Sequence, residues 1–320
     1  MFYSTIKKKN MSLTGKVLMI RPTSFSYNKE TAVNNYYQNE TEKIDSLSIS
    51  KLVTNEFDVF RSALEKNGIT VYCFEDIPKL NTPDSVFPNN WISFHKDGVI
   101  ILYPMFAKNR RRERRKDIIQ YFKDNFEYSK VIDIASLYEP KQQFLEGTGS
   151  MVLDRLNKIV YAAISDRTNI KPLVYFCEQT NFKLISFTSS QQFENKEKLI
   201  YHTNVMMSLC DNFVIICLES IKNKMERKRL LTTFEKTKKQ IIEISFDQVK
   251  NFCGNVIELK NSNNENILVM SSKAFDSFSI EQKGMINNFC KIVHSPLENI
   301  ENYGGGGARC MIAEMFLNKV

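Results

Sequence analysis

Four segments of this chain share one pattern: a polar or glycine-marked loop, an apolar strand, a short turn and a second apolar strand. Phe87–Phe94 leads into Gly98–Pro104, and Glu146–Leu153 leads into Lys158–Ile164. His202–Met207 leads into Asn212–Leu218, and Cys253–Leu259 leads into Asn266–Ser271. A fifth copy is split between the ends, Gly15–Arg21 on one side and the glycine run before Cys310 on the other. From Phe87 to Glu146 is 59 positions, to His202 another 56, to Gly254 another 52 and to Cys310 another 56. A period in the fifties with five copies points to a closed ring of ββαβ units rather than an open sheet. The segments between carry helical patterns, as at 110–126 and 222–239. In a ring the inner loops converge, which would bring Glu146, His202 and Cys310 together.

The last of those loops carries the sharpest chemical signal. Tyr303 is followed by four consecutive glycines, Ala308, Arg309 and Cys310. Four glycines cost backbone entropy on ordering, and they let main chain approach a ligand closely. The apolar run after Cys310 reads as a helix, whose N-terminus would lower the thiol pKa and favour the thiolate. A cysteine nucleophile needs a proton carrier. Only three histidines are present. His95 reads as a solvated hairpin residue and His294 as a loop residue, whereas His202 heads an apolar run and is the candidate acid–base group. Glu146, flanked by apolar residues and by Gly147 and Gly149, completes a Glu–His–Cys constellation.

With these motifs in order, the chain resembles the guanidino-group-modifying superfamily, the five-bladed α/β propellers that include arginine deiminases and amidinotransferases. Met19-Ile20-Arg21-Pro22, Val86 to Trp91, Ile164 to Thr168 and Gly304 to Cys310 resemble the arginine-deiminase-related subgroup associated with citrulline utilisation. The resemblance implies attack by Cys310 on a guanidino or ureido carbon, proton transfer by His202, and charge placed beside the reacting group by Glu146. It implies that Arg167 binds a substrate carboxylate, for which a guanidinium fork is suited, with Arg21 either assisting or serving the inner strand. Where arginine deiminases carry aspartates that grip a cation, this chain has Asn90, or its neighbour Asn89, and Asn204. An amide can satisfy a neutral ureido oxygen and a carboxylate cannot, so a citrulline-like substrate is expected over arginine. The alternatives are an arginine deiminase or dihydrolase, an amidinotransferase, and a ribosome-binding propeller without chemistry.

No linker divides the chain, so one domain is expected over 13–320, after a disordered extension at 1–12 in which Met11 offers a second start. That extension lacks the apolar core of a signal peptide, and no run is long enough to span a membrane. Seven cysteines without paired spacing indicate a reducing, cytoplasmic setting. No cysteine or histidine spacing suggests a metal, and no cofactor is expected. The partner expected is a small amino-acid-like substrate rather than nucleic acid or membrane, with a homodimer left open. The basic run at 108–116 reads as a solvated helix start.

Overall fold

The computed structural model describes residues 12–39 and 46–320, so the expected extension lies, but for Ser12, outside the described residues. The strands in chain order are β1 (Lys16–Arg21), β2 (Thr70–Glu75), β3 (Ile92–Phe94), β4 (Val99–Leu102), β5 (Lys130–Asp133) and β6 (Val152–Asp154). They continue as β7 (Ile159–Ala163), β8 (Lys183–Phe187), β9 (Ser190–Phe193), β10 (Lys196–Leu199), β11 (Met207–Leu209) and β12 (Phe213–Ile216). The last are β13 (Gln240–Glu243), β14 (Ile257–Lys260), β15 (Asn266–Ser271), β16 (Lys291–Ser295) and β17 (Ala313–Glu314).

Fifteen of them form five three-stranded sheets in the orders β17-β1-β2, β3-β4-β5, β6-β7-β8, β11-β12-β13 and β14-β15-β16; β9 and β10 form a separate hairpin. In every sheet the first pair is antiparallel and the second parallel. The parallel pair needs a helical crossover. Four sheets have one long helix there, α1 (Ser46–Lys66), α2 (Lys116–Asn125), α3 (Ile170–Thr180) and α4 (Lys224–Lys236), and the fifth has α5 (Ile280–Asn287) after a short helical turn. The middle strands read as unbroken apolar runs because both faces are covered: Val17 to Ile20, Ile267 to Met270 and Phe213 to Ile216 are all buried. On α1 the residues Ile49, Val53, Phe57, Phe60 and Leu64, spaced three or four apart, are buried between the first and fifth sheets, as one apolar stripe of a helix requires.

Apolar clusters fill the spaces between successive sheets. One joins the first and second through Leu18, Ile20, Ile100 and Leu102. Another joins the second and third through Ile101, Tyr103, Val160 and Ala162. A third runs from the third sheet through the fourth to the fifth. The remaining cluster returns from the fifth to the first through Leu259, Val269, Val17 and Met19. The expectation of a helix after Cys310 is corrected: residues 308–311 form a turn and lead into β17, which pairs Val17 with Glu314. The apolar run there serves sheet closure. No helix among the described residues is long and apolar enough to cross a membrane.

Candidate active site

Tight turns at 88–90, 147–150 and 203–206 lead into the second, third and fourth sheets, and the middle one packs on both of the others. Glu146 precedes the turn 147–150, and His202 precedes the turn 203–206. The Thr203 hydroxyl donates to the Ser150 carbonyl at 2.6 Å, tying the two turns together. Glu146 is oriented from behind: its N–H donates to Ser150 Oγ at 2.9 Å, and Ser150 Oγ donates to the Arg167 carbonyl at 2.8 Å. His202 Nε2 then lies 2.8 Å from Glu146 Oε2, and the Phe106 N–H donates to Oε1 at 2.9 Å. Room for the imidazole depends on Gly149, where an added Cβ would lie 2.8 Å from the ring.

The electrostatics follow from burial and two guanidinium groups. Burial alone would raise the Glu146 carboxyl, but Arg167 at 3.5 Å, the His202 hydrogen bond and Arg110 overcome it and hold the group at about 2. Burial pushes His202 down to about 4 against the pull of Glu146. At neutral pH the carboxylate is charged and the imidazole neutral, with Nε2–H donated to Glu146, which leaves Nδ1 for substrate.

Cys310 is almost fully buried and is joined to the turn after His202 through Asn204. Asn255 Nδ2 lies 3.2 Å and Asn204 Nδ2 3.3 Å from its sulfur. Burial raises the thiol pKa, and these two amides oppose it. The glycine run passes Cys310, and Gly305 takes φ +64°, where an added Cβ would strike the Asn35 amide at 2.5 Å.

Other expected residues fall in different places. Asn90 and Asn89 are buried and bonded to each other, with Asn90 Nδ2 donating to Asn89 Oδ1 at 3.0 Å. Asn90 Oδ1 accepts from Arg110 at 2.7 Å. Asn89 Nδ2 and Asn204 Oδ1 have no partner although buried. Arg167 is buried against Tyr201, and its guanidinium donates to Asn34 Oδ1 and, at 2.7 Å, to the Thr31 carbonyl. Arg21 is not brought to the cluster: it pairs with Asp58 at 2.8 Å and Glu75 at 3.1 Å at the end of β1. His95 is not solvated either; it is buried with Nε2 2.9 Å from Ser93 Oγ.

The basic run also differs from expectation. Arg110 is buried, with a two-bond pairing to Glu113 at 2.8 and 2.9 Å and Asp84 at 3.8 Å. Arg114 grips Glu139 with bonds of 2.7 and 2.9 Å, and Arg115 pairs with Asp117. Sequence inspection missed Arg110 because Glu113 and Asp84 do not stand out as its partners in a charge run. Asn255 was also missed, although its place in the fourth repeat, one residue after Gly254, could have revealed it. Arg110→Ala leaves two buried carboxylates without their cation and is expected to cost roughly 3–5 kcal/mol. A thermal melt should show a drop on the order of 10 °C, whereas Arg112→Ala at an exposed position should leave the melt unchanged.

Residues 21–317 match the family described as "N,N dimethylarginine dimethylhydrolase, eukaryotic". No curated protein matches the chain. Among solved structures, apo ArgZ, an arginine dihydrolase from the ornithine–ammonia cycle in cyanobacteria, superposes with TM-score 0.72 at 16% identity, over 93% of this chain and 40% of that one. The N-terminal domain of ArgZ bound to substrate gives 0.72 at 15% identity, over 94% and 99%. A dimethylarginine dimethylaminohydrolase carrying an S-methyl-L-thiocitrulline adduct gives 0.62 at 14% identity, over 95% and 100%. The chain thus spans about 40% of full-length ArgZ and nearly all of its N-terminal domain, and the likeness is one of mixed α/β fold.

Proposed function

The chain belongs to the eukaryotic N,N-dimethylarginine dimethylhydrolase family, within the guanidino-group-modifying superfamily of enzymes, and from that premise we propose a cysteine-dependent hydrolase of the guanidino C–N bond of an arginine-like amino acid. The observation that carries this reading is the buried Glu146–His202 pair together with Cys310, whose sulfur lies 3.3 Å from Asn204 Nδ2 in the turn that follows His202. We also infer that the five sheets are blades of a pseudo-fivefold propeller, supported by the apolar cluster that returns from the fifth sheet to the first.

In this mechanism the Cys310 thiol gives its proton to His202, and the sulfur attacks the central carbon to form a C–S bond. His202 passes the proton to the departing nitrogen, and the C–N bond breaks to release ammonia or an amine. Water, losing a proton to His202, then attacks the same carbon. The C–S bond breaks, the thiolate leaves, and a ureido product remains. Glu146 stabilises the imidazolium that forms in each half. Arg167 is assigned to the substrate carboxylate, which would replace the neutral Thr31 and Asn34 acceptors now filling its fork.

Two substrate readings follow from the open amide atoms. Asn204 Oδ1 is a buried acceptor without a partner, and the Asn90 amide is already committed to Asn89 and Arg110. An acceptor suits the N–H-rich guanidinium, and Glu146 supplies an anion beside it. The second reading is a neutral, citrulline-like ureido substrate, favoured by the unpartnered donor Asn89 Nδ2. The expected order of kcat/KM is arginine or dimethylarginine above citrulline, measured by ammonia and dimethylamine release. A faster citrulline reaction selects the ureido reading, and no release from any of the three removes the hydrolase reading. A ribosome-binding role has little support, since Arg110, Arg114 and Arg115 are engaged with the chain's own acids. Seven free cysteines fit a reducing cytoplasm.

A further inference from the structure

Cys310 sits in a turn rather than at the start of a helix, so no aligned row of helix N–H groups is available to hold a sulfur anion. Its almost complete burial works against ionisation. Two side-chain amides reach the sulfur, and they are held differently. Asn204 has one end open, because its Oδ1 is unpartnered. Asn255 is engaged at every polar atom. Its Oδ1 accepts from the Gly307 N–H at 3.1 Å and from the Cys310 N–H at 3.3 Å. Its Nδ2 donates to the Asn204 carbonyl at 3.1 Å and lies 3.2 Å from Cys310 Sγ. Its own carbonyl accepts from the Arg309 N–H at 3.2 Å.

The orientation of this amide is therefore decided by the main chain. Flipping it would set an NH₂ against two N–H donors and turn an oxygen toward the sulfur. Three residues of the nucleophile loop hang on Asn255, and the remaining N–H is aimed at the reacting atom. We propose that Asn255 is the positioning residue of the nucleophile, fixing the turn that presents Cys310 and supplying the fixed donor that stabilises its thiolate. This rests on the reading of Cys310 as the nucleophile.

The readout is the ionisation of Cys310 itself, followed in the full chain by ultraviolet thiolate absorbance against matched Cys310→Ser backgrounds. Asn255→Asp keeps the size and the Oδ1 acceptor but replaces the donor, and Asn255→Ala removes both. In each variant the Cys310 midpoint is expected to rise by about one pH unit or more, a tenfold or greater loss of thiolate below the midpoint. Asn255→Ser, which retains a small polar group in the same turn, is the variant to titrate if the other two fail to fold, with the same rise expected. A lowered melting temperature with the Cys310 midpoint unmoved in every folded variant overturns the proposal and leaves Asn255 merely structural. The titration needs no substrate. A shifted midpoint alongside silence toward every guanidino and ureido compound would remove the proposed activity and keep this inference, and the reverse pattern would do the opposite.

Discussion

A Cys310→Ser chain is expected to lose turnover by on the order of 10⁴-fold or more, the scale on which loss of a covalent nucleophile acts. The fold should survive. A serine hydroxyl fits the same buried site and can accept from both Asn255 and Asn204. Cys73→Ser, in the half-buried outer strand β2, should leave turnover where it is. The pH dependence has a definite sign. Because burial raises the Cys310 thiol pKa, its alkylation should be slow at neutral pH and accelerate as pH rises beyond the usual thiol range. Undiminished turnover by the serine variant would end the covalent mechanism, and a labelling rate independent of pH would contradict the raised thiol.

The second large effect is expected at His202. In the proposed mechanism His202 carries the proton of both half-reactions, so His202→Ala should lower kcat by roughly 10²–10⁴-fold. His294→Ala, at an exposed outer strand where Nδ1 meets Ser272, should not. Stability carries a second signature. The imidazole's pKa is depressed in the folded chain, to about 4 from about 6.5 in an unfolded one. The unfolded chain therefore binds more protons in that window, and stability should fall as pH is lowered through it. Denaturant titrations at pH values spanning the window should show part of that loss abolished in the alanine variant. Equal acid sensitivity in the two proteins would show that His202 is not held neutral by its surroundings.

Much of this arrangement could be read from the chain because it is written in repeats. Glu146, His202 and Cys310 stand at matching loop positions, and the structure gathers those loops. What could not be read depends on which partner a polar side chain finds. A run such as Arg110 to Lys116 looks solvated until Glu113, Glu139 and Asp117 are placed against it. Residues 22–39 carry no strong apolar period, yet Asn35 and Gln38 donate to the Gly304 and Tyr303 carbonyls and so hold the start of the glycine run. The run after Cys310 is short and apolar, compatible with helix or strand by pattern alone. Pairing with β1, hundreds of residues away in sequence, decides it.

That pairing has a temporal consequence. β17 is an edge strand of the first sheet, and of the described strands it is the last to be translated. Until it arrives, Val17 and Leu18 lack their antiparallel partner, and Thr14 has no Met315 carbonyl to bond. Cys310 is translated three residues ahead of that strand, so a nascent chain that still lacks it already holds Glu146 and His202. Completion of the first sheet and arrival of Cys310 are then a single late event in the synthesis of the described residues.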